Sequence, residues 1–175
     1  MRFRRPRLHE AAYLGPIRCF LTLCTARGNP VFIDPDTVNL AVSHFLQVAA
    51  ECDLELLAYC FMPDHGHLLV TSAYETADVQ RFVHQSKQRS AYEYRRSCGG
   101  RLWHPSYFDR ILRSDEDTWS VVRYILENPA RAGLVDIPRQ YPFSGSGVYS
   151  LDALLEAAFA PGVEVWSKRK ELSRP

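Results

Sequence analysis

LELLAYCFMPDHGHLLVT, residues 54–71, reads as two β-strands joined by a tight reversal. Leu54 to Phe61 is apolar and rich in strand-forming residues, Met62-Pro63-Asp64 interrupts it, and His65 to Thr71 resumes the pattern. A reversal this short forces the two strands into an antiparallel hairpin. The fold grows outward from that hairpin. Upstream, Asp34-Pro35-Asp36 offers an N-cap followed by a first-turn proline, and Val38, Val42, Phe45, Leu46 and Ala49 recur at helical spacing to about Glu51. Before it, Ile17 to Thr25 (IRCFLTLCT) is an apolar run stopped by Arg27-Gly28-Asn29-Pro30, as expected of a central strand.

Downstream, Val79, Phe82, Val83 and Tyr94 predict one apolar stripe on a helix from about Thr76 to Ser97, which Gly99-Gly100 ends. Leu102 to Leu112 is rich in aromatics and predicts a fourth, less regular strand, with Tyr94, Trp103 and Phe108 expected to pack inside. Ser114, followed by Asp115-Glu116-Asp117, has capping-box spacing and opens a third helix to about Glu127. The order βαββαβ predicts an α+β, ferredoxin-like fold: a four-stranded antiparallel sheet with helices on one face, plus the extra helix. After Pro129 the chain is loop-rich, then offers a short helix from Leu151 to Phe159 and a basic end, Ser167-Lys168-Arg169-Lys170. The reading divides the chain into a basic N-terminal arm (1–14), one domain (15–145) and a C-terminal tail with a short helix (146–175).

With 175 residues, 46% of them hydrophobic, the chain is long enough for one real core. Cys19, Cys24, Cys52, Cys60 and Cys98 are odd in number and lack C-x-x-C spacing, so they read as reduced thiols and not as a disulfide framework. The basic N-terminus lacks the apolar core of a signal peptide, and no run approaches the roughly 18 apolar residues of a membrane span, so a cytoplasmic location is expected. The net charge of +1 hides an asymmetry. Residues 1–27 hold six arginines against one glutamate; residues 28–80 hold eight acids and no lysine or arginine; residues 81–113 hold eight cations against Glu93 and Asp109. Two basic segments flanking an acidic one suit a polyanion-binding face beside a cation-binding site, and alternating solvated faces would give the same count.

Side chains alternate along a strand, so His65 and His67 share one face and two neutral imidazoles there can grip one cation. Two surface histidines beside a turn would look the same in sequence. A histidine-triad hydrolase would need a third alternating histidine, where this chain has Leu69. An oxygen donor and a nucleophile are offered by the third helix. Tyr124 and Asn128 are four apart and share a helical face, while Trp119, Val122 and Leu126 form a separate apolar stripe, so Tyr124 is expected to project away from the packing side. A helix tyrosine can equally be a packing residue, and Asn before Pro a simple helix stop.

AYCFMPDHGHLLV (58–70), WHPSYFDRILR (103–113) and VVRYILENPARAGLV (121–135) together resemble the REP-associated tyrosine transposases, relatives of the small single-tyrosine insertion-sequence transposases in the HUH endonuclease superfamily. The resemblance covers roughly residues 15–145. It implies a metal-dependent single-stranded DNA endonuclease and strand transferase acting on REP-type hairpins through a 5′-phosphotyrosine. Tyr124 is then the nucleophile, His65 and His67 the metal-binding histidines and Asn128 the residue that completes the metal site. The residue between the histidines is usually bulky and apolar in that family; here it is Gly66, which puts packing in doubt more than the ligands.

With an oxygen ligand and water in the shell, Mg2+ or Mn2+ is expected in place of a structural zinc. Single-stranded or hairpin DNA is the expected partner, with Arg4, Arg5 and Arg7 of the arm and Arg81, Lys87, Arg89, Arg95 and Arg96 of the second helix as candidate contacts. A homodimer or a monomer both fit. Two other functions stay open at this point: a nuclease that uses the metal alone, and a domesticated hairpin-binding protein that no longer cuts.

Overall fold

The computed structural model describes residues 10–113, 118–164 and 166, and builds nine elements from them: β1 (Ile17–Cys24), α1 (Pro35–Glu51), β2 (Glu55–Met62), β3 (His65–Ser72), α2 (Val79–Ser97), β4 (Phe108–Ile111), α3 (Thr118–Arg131), β5 (Ser144–Gly145) and α4 (Leu151–Ala158). Arg4, Arg5 and Arg7, the capping box opened by Ser114 and the basic run 167–170 lie outside the described residues. The strands form one antiparallel sheet in the order β4-β1-β3-β2-β5, and the hairpin of residues 54–71 supplies two of its inner strands.

Alternation along the strands sorts side chains onto two faces. Leu21, Leu23, Leu56, Leu68 and Val70 point to the face covered by α1 and α2, where they meet Val38, Phe45, Val48, Phe82 and Val83. Phe20, Leu69, Ala58 and Cys60 point the other way, toward Val122, Ile125 and Leu126 of α3 and Leu154 of α4. The α+β architecture expected from sequence is therefore present, with the later helices on the opposite side of the sheet from α1 and α2. Helix starts are chemically marked: Asp34 accepts from the backbone of Asp36 and Thr37 at the head of α1, and Asp78 accepts from Arg81 N at 2.9 Å at the head of α2.

Four expectations need correction. The sheet has five strands, not four, because the chain after α3 returns along β2 and pairs Gly145 with Tyr59 and Ser144 with Cys60. Glycine is what permits this approach, since a Cβ at 145 would lie 2.6 Å from the Tyr59 hydroxyl. The fourth strand is only Phe108–Ile111: Trp103 makes an isolated bridge with Thr25, and Pro105, which has no N–H to give to a ladder, lies in the segment between. Trp103 is buried and Tyr94 packs on the core, whereas Phe108, on an edge strand, is 44% exposed. Finally, α3 runs through Pro129 to Arg131 instead of stopping near Glu127. The proline leaves the Ile125 carbonyl without its N–H partner, and the Asn128 amide nitrogen lies 3.4 Å from that oxygen and 2.6 Å from the Tyr124 carbonyl. Beyond it, Ala132 N donates to Asn128 O at 2.9 Å.

Gly66 leaves no hole. It stands opposite Phe61, whose ring edge would lie 3.1 Å from a Cβ at position 66, so the phenylalanine occupies the space a larger residue would take.

Candidate active site

The two histidines sit at the start of β3, on the α3 face. His65 Nδ1–H donates to the Asp64 carboxylate at 2.6 Å, and His67 Nδ1 is 3.1 Å from the Thr22 hydroxyl on the paired strand β1. A ring nitrogen fixed by a second residue settles which nitrogen is turned outward. Here it is Nε2 in both rings, and these two atoms lie 3.1 Å apart. Asp64 was legible as part of the turn; Thr22 was not, because only strand register brings it opposite His67, 45 residues away.

Tyr124 reaches this pair from α3. Its ring centroid is 6.0 Å from that of His67 and 5.9 Å from that of Phe20. The expectation that it projects away from the packing side is corrected: the tyrosine is half-buried on the second core cluster, because α3 docks with Val121, Val122, Ile125 and Leu126 inward and its neighbouring stripe grazes the sheet. Burial pushes the phenol above the usual tyrosine range, and the positive charge of Arg131, whose guanidinium is 5.6 Å from the ring centroid, pulls in the opposite direction. Arg131 lies seven residues after Tyr124, so Tyr124, Asn128 and Arg131 form one stripe of α3.

Phe20 is the platform of the site. Its ring stacks on His67 at 5.6 Å and meets Tyr124, Phe108 and Trp166. Trp166, from the C-terminal segment, lies 5.2 Å from Tyr124 with the Arg110 guanidinium 4.7 Å over its own ring. Nothing local in the sequence marks Trp166 as a neighbour of residue 124.

The structure thus brings His65, His67 and Tyr124 together, with Asn128 one turn along the same helix and its amide nitrogen bonded to the helix backbone. Among the described residues no group of three or more His, Cys, Asp or Glu side chains is placed to hold a metal ion. Arg81, Lys87, Arg89, Arg95 and Arg96 all belong to α2, on the other side of the sheet from Tyr124. Arg89 grips Glu51 of α1 through two bonds of 2.7 and 2.6 Å, Lys87 bonds backbone carbonyls of residues 104 and 105, and Arg96 lies over the exposed Tyr92 ring. No helix among the described residues is long and apolar enough to cross a membrane.

A five-stranded antiparallel sheet with two histidines at one strand end and a helix tyrosine against them defines a class, and comparison of the whole sequence agrees with it. The chain belongs to the family described as Transposase IS200 like, whose model matches residues 17–128, from the first residue of β1 to Asn128. Within that family it is similar to the REP-associated tyrosine transposases. A protein of that name from Haemophilus influenzae is 26% identical over 123 residues, covering 62% of this chain and 68% of the relative. One from Escherichia coli is 25% identical over 114 residues, covering 61% and 67%. A solved structure of a REP-associated tyrosine transposase bound to a REP hairpin superposes with a TM-score of 0.67 at 21% identity, over 81% of this chain and 82% of that one, which shows a shared fold.

Proposed function

We propose that this protein is a metal-dependent single-stranded DNA endonuclease and strand transferase that acts on REP-type hairpins through a 5′-phosphotyrosine on Tyr124. The observation that carries the reading is the pair of facing Nε2 atoms 3.1 Å apart, beside a tyrosine ring 6.0 Å from His67. Two ligands roughly 2.1 Å from one ion at an octahedral right angle lie about 3.0 Å apart, so the pair is spaced to chelate. His65, His67 and the Asn128 amide oxygen would hold Mg2+ or Mn2+, which when bound supplies Lewis-acid polarisation of the scissile phosphate.

The remaining chemistry belongs to the side chains. Tyr124 Oη forms a bond to phosphorus as the bond to the 3′ oxygen breaks; the phenol loses its proton and the departing 3′ oxygen gains one. Phosphoester bond energy is retained, so a second 3′ hydroxyl can attack the phosphotyrosine and restore a continuous strand. Asp64 and Thr22 hold the Nδ1 side of each imidazole, so that the two Nε2 atoms face one another. Phe20 and Trp166 hold the Tyr124 ring edge-on and limit its rotation.

The test is a labelled single-stranded hairpin incubated with the protein and Mn2+, then run on a denaturing gel. A covalent protein–DNA band that disappears in Tyr124→Phe is the expected result. Cleaved DNA that survives this substitution would instead mean hydrolysis by the metal alone. Binding without any cleavage would mean a domesticated hairpin-binding protein.

A further inference from the structure

Helix α3 ends in a cation that stands beside the nucleophile. The helix passes Pro129, Ala132 N donates to Asn128 O at 2.9 Å, and Gly133, at φ 70°, closes the end with its N–H donating to Ala130 O at 3.0 Å. Arg131 owes its place to that extra turn. It starts about 10.5 Å further along the helix axis than Tyr124, and helix side chains lean toward the N-terminus, so a long side chain here reaches back to the ring seven residues earlier. Its guanidinium carbon ends 5.6 Å from the Tyr124 ring centroid.

The neighbouring cations are engaged. Arg123 is bonded to Glu127 at 2.9 Å and to the Val163 carbonyl at 2.8 Å, and Arg110 lies 4.7 Å over the Trp166 ring. Arg131 differs, because among the described residues its side chain makes no ion pair and no hydrogen bond, and it is exposed. Its five N–H donors are therefore open to a ligand. A phosphate joined to Tyr124 Oη would stand at the rim of the same ring. The two non-bridging oxygens of that phosphate share one negative charge, which a planar guanidinium pairs with through two parallel bonds.

We infer that Arg131 binds the non-bridging oxygens of the phosphate that Tyr124 attacks, neutralising its charge as the bond from Oη to phosphorus forms and holding it until a 3′ hydroxyl displaces the phenol. The inference rests on the reading of Tyr124 as the nucleophile and adds a residue to that step. Both side chains stand on one helix, so their spacing does not depend on how α3 sits on the sheet, whereas the distance from Tyr124 to His65 and His67 on β3 does.

The experiment compares two labelled single-stranded hairpins, one with ordinary phosphodiesters throughout and one with a neutral methylphosphonate at the position the parent protein cuts. Each is incubated with the full chain and Mn2+, and the rate of adduct formation is read from a denaturing gel. A methylphosphonate has no charge to neutralise, so a residue with that task becomes dispensable. Arg131→Gln is expected to slow adduct formation roughly 100-fold on the phosphodiester and less than about three-fold on the methylphosphonate. Arg131→Lys keeps the charge and loses the fork, and should be slowed roughly ten-fold on the phosphodiester. Arg131 is exposed, so a melting curve close to that of the parent accompanies the result. A second measurement leaves the sequence intact: phenylglyoxal, which modifies accessible arginines, should label Arg131 in the free protein and not in the adduct after a nuclease has trimmed its DNA to a few nucleotides, as read by peptide mass spectrometry.

An equal loss on both DNAs overturns the inference, because a residue that only shapes α3 would not distinguish them. So does a variant as fast as the parent on the phosphodiester. If the parent forms an adduct with the phosphodiester but not with the methylphosphonate, the labelling decides: protection of Arg131 in the adduct supports the inference, and unchanged reactivity overturns it. If the parent forms no adduct with the phosphodiester, the reading of Tyr124 as the nucleophile fails and the inference falls with it.

Discussion

The two faces of the sheet are built on different terms. On the α1/α2 face the aromatic rings close on one another: Phe32, Phe45, Phe61, Phe82 and Trp103 meet at centroid distances of 5.0 to 6.2 Å, and all five side chains are buried. On the α3/α4 face the rings around Phe20 include His67 and the half-buried Tyr124, and the cations Arg110 and Arg131 lie over them. The first face can be made of groups that want only to leave water. The second must hold titratable and polar groups at fixed distances, so it stays partly open and relies on the hydrogen bonds that the histidines make with Asp64 and Thr22. One side supplies the rigidity that the other uses.

Breaking the closed face should have the largest effect. Phe45→Ala removes a fully buried ring and should cost about 3–5 kcal/mol in denaturant unfolding, while protein that remains folded still forms the Tyr124 adduct. A comparable loss of adduct per folded molecule would show that the faces are not separable. On the open side, Thr22→Val keeps the shape but removes the partner of His67 Nδ1, and should weaken Mn2+ binding by roughly 10- to 100-fold, read by electron paramagnetic resonance, with little change in melting temperature.

Alkali tests the two faces together. Cys19 lies in the first core and Cys60 in the second, and burial pushes both thiols up to about 12 from an ordinary value of 9.0. The folded protein therefore keeps thiols protonated that the unfolded chain ionises. This contribution is present below pH 9 and is lost as pH rises toward 12, by about 1 kcal/mol for each thiol between pH 9 and pH 10. Cys19→Ala and Cys60→Ala should each remove about half of that slope between pH 9 and 10. The smallest expected effect is that of Gly66→Ala. The new methyl meets the Phe61 ring at 3.1 Å, but alanine is easier to order in a strand, so stability should stay within about 1 kcal/mol of the parent.

Much of the fold was open to reading because its signals are local. The hairpin of residues 54–71, α1 with its Asp34 cap and the body of α2 follow from alternation, helical spacing and turn chemistry. The readings that needed correction depended on partners far away in the chain. Leu102 to Leu112 follows β1 but only Phe108–Ile111 pair with it as a strand, and β5 exists because residues 144–145 find the edge of β2. Pro129 reads as a stop, and the helix passes it with Asn128 beside the carbonyl that the proline leaves behind.

The candidate site divides along the same line. By itself the sequence determined that His65 and His67 share a face and that Tyr124 and Asn128 share a stripe, because strand and helix periods are properties of a residue's own backbone dihedrals. Only the tertiary structure decided that this face and this stripe meet, that Thr22 pins His67, that Phe20 and Trp166 flank the tyrosine, and that Arg81 and Lys87 of α2 line a separate groove on the other side of the sheet. Those outcomes depend on which apolar surfaces bury one another across the sheet, a choice made by the whole core.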